Sequence, residues 1–217
     1  MSILTVTNIS KTYQDRLILD KISLSFEPGE SYVIVGRNGA GKSTFLSILA
    51  GYLKQDQGSI TTTGTLGFVP QQDVLFEDLS TKDNLTFWLK AHQKTWEQIT
   101  PWLDMFGVSS YLKKRIKNLS GGMKKSVAIC CALIDNPDIM VMDEPFAGLD
   151  AVYKDQLLQA MAQLKNQGKT LIYTSHNIDE LIGLNSQIYG LKSASLVYKG
   201  ESQNLTTVAD LLAIFGE

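Results

Sequence analysis

The chain has 217 residues, of which 44% are hydrophobic, and its formal net charge is −2. This length is enough for one large domain with its own hydrophobic core, so no disulfide is required to stabilise the fold. The nearly balanced charge gives no indication of nucleic-acid binding, and we expect no nucleic acid among the partners. No apolar run approaches the roughly 18 residues needed to span a bilayer. The N-terminus also lacks the pattern of a signal peptide.

Short β-type runs separated by turn signals make up the first third of the chain. Residues 22–26 alternate polar and apolar side chains, and residues 32–35 form a continuous apolar run, so both are predicted strands. The sequence Glu-Pro-Gly-Glu at 27–30 predicts a turn between them. Residues 57–70 predict two more short strands joined near Gly64, which indicates a small antiparallel region.

A glycine-rich loop follows the strand at 32–35. Residues 36–44 match G-x-x-x-x-G-K-[S/T] at every fixed position, and the apolar spacing of residues 44–50 predicts a helix. Glycines let the backbone approach a ligand closely, and N–H groups at a helix N-terminus favour an anion. In this motif Lys42 reaches the β- and γ-phosphates, and the hydroxyl of Ser43 holds Mg²⁺. The sequence therefore predicts a nucleoside triphosphate bound by Gly36, Arg37, Asn38, Gly39, Ala40, Gly41, Lys42, Ser43 and Thr44.

Residues 73–137 have a helical character. Residues 80–83 are typical of a helix N-terminus, and this helix is predicted to run to about Gln93. A second helix is predicted to begin near Thr95. Because these helices interrupt an otherwise regular alternation of strands and helices, we interpret them as an inserted subdomain.

A third predicted helix, residues 124–134, contains both cysteines of the chain, Cys130 and Cys131. Neighbouring residues on a helix point away from each other, so these two thiols are poorly placed to form a disulfide. We therefore interpret them as reduced core residues rather than as a metal or redox site.

The last part of the chain returns to strand–helix alternation. The predicted elements are a strand at 139–142, a helix at 151–167, a strand at 170–175, a short helix after His176, a hairpin at 189–199 and a final helix at 208–215. Such alternation implies a parallel sheet with helices on both faces and ligands at the carboxyl ends of the strands.

Two further stretches restrict the chemistry that a phosphate loop alone leaves open. Asp143 and Glu144 follow the strand at 139–142, where one carboxylate suits Mg²⁺ and the other suits a general base; a solvated acidic turn is the alternative. Residues 119–123, Leu-Ser-Gly-Gly-Met, offer a second exposed anion site at the N-terminus of the helix 124–134. One chain needs only one phosphate cradle, so the second site suits a partner's nucleotide. A linker that only caps the helix is the alternative.

In their order along the chain, these motifs resemble those of the nucleotide-binding subunit of an ABC transporter, and the resemblance covers almost the whole chain. Residues 36–44 resemble the Walker A motif, residues 139–144 the Walker B motif, and residues 119–123 the signature loop LSGGQ. The shorter motifs that match are the adenine-stacking aromatic at Tyr13, the Q-loop at Pro70 and Gln71, the D-loop at 147–150 and the switch histidine at His176.

The resemblance implies an α/β fold of the P-loop NTPase type. Its three-layer core would carry a small antiparallel β subdomain and an inserted α-helical subdomain. Residues 1–72 and 138–217 would form the β subdomain and the RecA-like core, and about residues 73–137 the helical insertion. Residues 1–217 would thus be a single ABC-type ATPase domain.

The resemblance also implies a role for each matched residue. Glu144 would be the general base, Gln71 would contact the water or the metal, and His176 would hold the γ-phosphate. Tyr13 would stack on adenine, although a strand-edge aromatic is the alternative. The expected cofactors are ATP and Mg²⁺, the latter held by Ser43, Gln71 and Asp143.

In the family, two such subunits face each other head to tail. Ser120, Gly121 and Gly122 would then contact the γ-phosphate bound by the Lys42 of a second subunit, and Asp150 would pair across the interface. Met123 stands in place of the Gln of the signature loop, and we expect this to have a modest effect on communication within the dimer. Lys125 and Ser126 stand where relatives often carry Gln-Arg, for which the sequence offers no explanation.

The function implied by the resemblance is that of an ATP-hydrolysing motor subunit of an ABC transporter. The expected partners are a second ATP-binding subunit, as a homodimer, and a separate transmembrane subunit, which would place the chain on the cytoplasmic face of the membrane. Export is the expected direction. The alternatives are a soluble ABC-type ATPase in translation or DNA repair, and a non-hydrolysing nucleotide-binding regulator.

Overall fold

The computed structural model describes residues 1–72, 74–175 and 178–204, and these residues contain two β-sheets. The strands are β1 (Leu4–Tyr13), β2 (Arg16–Phe26), β3 (Ser31–Val35), β4 (Gln57–Thr62), β5 (Leu66–Val69), β6 (Ile139–Met142), β7 (Thr170–Thr174), β8 (Gln187–Lys192) and β9 (Ser195–Glu201). The α-helices are α1 (Lys42–Leu49), α2 (Thr81–Ala91), α3 (Trp96–Met105), α4 (Gly121–Ala132), α5 (Ala151–Asn166) and α6 (Ile178–Ile182). The helix expected at 208–215 lies outside the described residues.

The larger sheet has the strand order β5-β6-β7-β3-β8-β9, and only its edge strand β9 pairs in the antiparallel sense. Each residue of β3, β6 and β7 is buried, as expected for parallel strands covered by other elements on both faces. Alternate side chains of β6 enter two separate clusters: Ile139 and Val141 face α1, whereas Met140 and Met142 face α4 and α5. The predicted parallel α/β sheet is therefore confirmed.

The smaller sheet is antiparallel, with the order β2-β1-β4, and packs on the α1 side of the larger sheet. The two strands expected around Gly64 are present, but they belong to different sheets. Val6 of β1 pairs with Ile60 of β4, whereas Phe68 of β5 pairs with Val141 of β6. The turn signal at Gly64 is therefore a crossing between sheets rather than the tip of a hairpin.

The helices between β5 and β6 share a hydrophobic cluster of their own. Its members include Leu85 of α2, Leu103 of α3 and Val127 of α4. The opposite side of α4 carries Ala128 and Ile129, which pack into the core of the large sheet. Helix α4 therefore connects the helical region to the sheet, while the subdomain boundaries stay a prediction.

Two further observations concern the cysteines and possible membrane spans. Cys130 is buried in the helical cluster, and burial raises the pKa of its thiol. In the part of the chain that the structure describes, no helix is long and apolar enough to cross a membrane.

Candidate functional site

The glycine-rich loop connects β3 to α1 and lies close against its neighbours. A Cβ at Gly36 would come within 2.6 Å of the carbonyl oxygen of Leu191. A Cβ at Gly41, where φ is 106°, would lie 2.7 Å from Cγ2 of Ile18. Both positions therefore require glycine, and α1 begins directly after them at Lys42, two residues earlier than predicted. The first N–H groups of α1 thus face the loop, as an anion site requires.

Lys42 is 6% exposed, and its ammonium is held inside the loop. Its Nζ donates to the carbonyl oxygens of Gly36 at 2.8 Å and Arg37 at 3.3 Å. Burial lowers the pKa of Lys42, and the nearby carboxylates of Glu144 and Asp143 act in the opposite direction. A lysine in this position is a preformed cation beside the anion site.

Asp143 and Glu144 follow β6 at the carboxyl edge of the sheet. Asp143 is 3% exposed, and the hydroxyl of Thr174 donates to its Oδ1 at 2.7 Å. The backbone N–H of Glu144 donates to the same hydroxyl oxygen at 2.7 Å. Thr174, at the end of the neighbouring strand β7, therefore fixes both acidic residues. Sequence reasoning gave Thr174 no such role, although its place at the end of a strand was a usable signal.

Glu144 itself has a φ of 46°, in the left-handed region that non-glycine residues seldom adopt. Its Oε2 accepts a hydrogen bond from Nε2 of Gln71 at 3.1 Å. A cleft of about 330 Å³, called here the phosphate-loop cleft, is lined by Ile18, Asn38, Gly39, Gly41, Lys42, Ser43, Thr44, Gln71 and Glu144. The structure therefore brings the phosphate loop, Gln71 and Glu144 together.

Tyr13 does not line this cleft. It is the last residue of β1, pairs with Arg16 of β2 and remains 44% exposed. The ammonium of Lys11 lies 5.5 Å from the centre of its ring. The exposed ring is available for stacking. Its pairing partner, Arg16, lies two residues before Ile18, which lines the cleft.

The residues present fit a hard divalent cation bound together with phosphates. Ser43 offers an exposed hydroxyl in the cleft, and the buried carboxylate of Asp143 lies close enough to act on the charge of Lys42, which lines the same cleft. Within residues 1–72, 74–175 and 178–204, no group of three or more His, Cys, Asp or Glu side chains could hold a metal. Mg²⁺ commonly uses one or two protein oxygens, with phosphate and water as its other ligands, which this donor set allows.

Ser120, Gly121 and Gly122, here called the signature corner, begin α4. Ser120 is the N-cap residue, and its hydroxyl accepts the N–H of Met123 at 3.3 Å. Ser120 and Gly121 are exposed, whereas Gly122 is buried against α5. A Cβ at Gly122 would lie 2.5 Å from Cγ of Tyr153. The side chain of Met123 packs on the helical hydrophobic cluster, which is a structural use for an apolar residue at this position.

The remaining predicted site residues are Asp150, at the start of α5, and His176, just before α6. Asp150 is exposed at the N-cap of α5, where its carboxylate accepts the N–H of Tyr153 at 3.0 Å. The buried carboxylate of Glu180 accepts a hydrogen bond from Ser175 at 2.5 Å and pairs with Lys154 at 2.9 Å. His176 lies outside the described residues, so its role in holding the γ-phosphate stays a prediction.

Comparison with known proteins gives the class of this molecule. The family model of the ABC transporter matches residues 19–147. The chain is 34% identical to a linearmycin resistance ATP-binding protein of Bacillus subtilis, over 98% of this chain and 72% of that one. It is 31% identical to a Nod factor export ATP-binding protein of Burkholderia thailandensis, over 96% and 75%. It is also 31% identical to a molybdate/tungstate import ATP-binding protein of Thermococcus kodakarensis, over 91% and 64%.

Solved structures give the same fold. The ADP conformation of an ATP-binding cassette of an ABC transporter superposes with a TM-score of 0.85 and covers 100% of both chains, at 24% identity. The fold is that of the ABC ATPase cassettes, and the chain belongs to the ABC transporter family. It is an ATPase, the ATP-driven motor subunit of such a transporter. ATP-binding subunits of this family work with transmembrane partners, typically dimerise and are membrane-associated.

Proposed function

We propose that the chain binds ATP with Mg²⁺ in the phosphate-loop cleft and hydrolyses it with Glu144 as the general base. The observation that carries this proposal is that Glu144 lines the same cleft as Lys42, with its carboxylate bonded to Gln71. A phosphate-binding cation and a candidate general base therefore line one cleft. The phosphate loop binds, and the carboxylate activates water.

Binding depends on the loop and its surroundings. The backbone N–H groups of residues 36–44 and the ammonium of Lys42 hold the phosphates, and the exposed ring of Tyr13 stacks on the adenine. Ser43, Asp143 and Gln71 hold Mg²⁺. When bound, this ion neutralises charge on the phosphates and on the leaving group.

Hydrolysis then follows from the position of Glu144. Gln71 orients the carboxylate and the water, and Glu144 accepts a proton from the water as its oxygen bonds to the γ-phosphorus. The bond from that phosphorus to the β–γ bridging oxygen breaks, so ADP leaves with the oxygen and inorganic phosphate is formed. In the same scheme His176 holds the γ-phosphate.

The complete pocket requires a second copy of the chain. The signature corner is an exposed helix N-terminus, and its Ser120 and Gly121 are accessible to another molecule. In a head-to-tail homodimer each corner meets the γ-phosphate in the phosphate-loop cleft of the other subunit, and Asp150 lies at the interface. ATP then joins the two subunits, and hydrolysis removes the contacts that hold them.

The test replaces Glu144 by glutamine, which keeps size and polarity and removes the base. Glu144→Gln should abolish turnover by at least about 100-fold and leave a persistent ATP-bound dimer, measured by phosphate release and size-exclusion chromatography. Glu30→Gln is the matched control, because Glu30 lies away from the cleft beside Lys165. Unchanged turnover in Glu144→Gln would refute the assignment of the base.

We further infer that the chain acts at the cytoplasmic face of a membrane with a separate transmembrane subunit, and that the direction is export. The Nod factor export relative supports export, while the molybdate/tungstate relative is an importer by name. Co-purification with the membrane subunit, followed by reconstitution in vesicles, decides this. Substrate should leave the side on which ATP is hydrolysed, and accumulation on that side contradicts the inference.

A further inference from the structure

Lys125 is a buried lysine in the second turn of α4 and is only 5% exposed. Its Nζ donates to the backbone carbonyl oxygen of Gln71 at 3.3 Å and lies 3.5 Å from that of Pro70, at the limit of a hydrogen bond. A lysine is seldom buried unless its ammonium finds acceptors. Here the loop after β5 supplies two of them, and this is the position for which the sequence offered no explanation.

The packing of α4 against β5 places this contact. A Cβ at Gly67 of β5 would lie 2.6 Å from the carbonyl oxygen of Ala132, so helix and strand are in close approach there. From Ala132 back to Lys125 the helix rises about 10 Å. From Gly67 to Pro70 the strand advances about 10 Å as well. The distance between the two contacts is therefore the same along the helix as along the strand. Lys125 makes its contact at the end of the pair where β5 has ended and the loop begins.

Gln71 continues the chain of contacts into the phosphate-loop cleft. Its backbone accepts from Lys125, and its side chain donates to Oε2 of Glu144 at 3.1 Å. Ser120 caps the same helix five residues before Lys125. One buried ammonium thus stands between the signature corner and the carboxylate of Glu144.

We propose that Lys125 is a positioning residue: it fixes the backbone of Gln71, and through it the carboxylate of Glu144, relative to the signature corner of the same subunit. The proposal rests on the proposed roles of Gln71, Glu144 and the corner. In the dimer the corner contacts the partner's triphosphate, so the link makes the geometry of one pocket depend on closure of the other. A misplacement of about 1 Å at a catalytic group costs up to roughly 100-fold in rate, so a small shift is sufficient.

The test is a double-mutant cycle between Lys125→Met and Gln71→Ala, read out as kcat and KM for ATP. Lys125→Met keeps the apolar stem and removes the ammonium, and it should lower kcat about 10-fold while KM changes less than about 2-fold. The double variant should be no slower than Gln71→Ala alone, because both changes break one link. Lys125→Arg, which keeps a cation and its donors, should retain most of the activity.

Lys124→Met is the matched control. The ammonium of Lys124 pairs at the surface with Glu77 at 2.9 Å, and its loss should leave kcat within about 2-fold. Equal effects of the two lysine substitutions, or effects of Lys125→Met and Gln71→Ala that multiply in the double variant, overturn the proposal. Should Lys125→Met fail to fold by circular dichroism, Lys125→Gln takes its place in the cycle, with the same outcomes.

Failure of this proposal can be told from failure of the proposed function. If Glu144 is not the base, Glu144→Gln keeps its turnover. If only the link is wrong, Glu144→Gln is inactive while Lys125→Met turns over ATP as fast as the wild type does.

Discussion

The phosphate-loop cleft and the signature corner both lie at the N-terminus of a helix, but their surroundings differ. At the start of α1, the ammonium of Lys42 is buried, and Gln71 and Glu144 line the same cleft. At the start of α4, Ser120 and Gly121 are exposed, and the hydroxyl of Ser120 contacts its own helix. The groups that suit a triphosphate are therefore concentrated at the first terminus, whereas the second terminus is open to solvent.

The largest expected effect comes from damaging each terminus in a different molecule. Lys42→Met removes the cation of the cleft, and Gly121→Asp places a carboxylate at the corner, where it repels a triphosphate. Each variant alone should lose at least about 100-fold in ATPase rate. An equal mixture should recover up to about a quarter of wild-type activity. Random pairing makes half of the dimers mixed, and each mixed dimer contains one intact pocket.

Folding should not obscure this result. The nearest heavy atom to a Cβ at Gly121 is 3.7 Å away, and aspartate is favourable in the first turn of a helix. Gly121→Asn is the matched control without charge, and it should lose less activity than Gly121→Asp does. A mixture that stays inactive although its chains exchange contradicts the expectation that the mixed dimer holds one intact pocket that works independently.

A smaller effect separates the two glycines of the corner. Gly122→Ala should lower the free energy of unfolding by about 1–3 kcal/mol, because the new methyl group would overlap the ring of Tyr153. Gly121→Ala should stay within about 0.5 kcal/mol, since its methyl group meets only open space and ordinary contact. Urea denaturation measures both. Equal costs would mean that the corner is not divided into a buried and an exposed half.

The smallest effect is the pH dependence of the buried ammonium, measured as the melting temperature of wild type minus that of Lys42→Met. Burial lowers the pKa of Lys42 from its usual value of about 10.5, so its burial penalty is fully present below the lowered value. Between the two values the unfolded chain binds more protons, and stability rises with pH. The difference should therefore increase with pH up to about pH 10.5. A flat or falling difference contradicts this.

Local signals predicted much of this molecule. The apolar runs at 32–35 and 139–142 became buried strands, and Ser80 and Thr95 begin helices as expected. Two helices start earlier than predicted, at Lys42 and Gly121, because glycine and serine next to a helix give weak propensity signals even when their backbone belongs to it.

The contacts that the sequence did not predict join residues far apart in the chain. β5 pairs with β6, more than 70 residues away, and not with β4, the strand that precedes it along the chain. The hydrogen bond from Lys125 to Gln71 spans 54 residues, and a lysine in a helix is normally interpreted as solvent-facing. Thr174 likewise acquires its partners only when β6 and β7 lie side by side. Such contacts depend on strand order, which local patterns leave open.

The left-handed backbone of Glu144 bears on how this enzyme could be engineered. Glycine would adopt that conformation without strain, and asparagine tolerates it better than glutamate does. Selection for thermal resistance alone would therefore favour replacements at this position that remove the carboxylate. With Glu144 as the proposed base, a screen for robust variants would need to couple survival to transport, because it would otherwise enrich inactive variants.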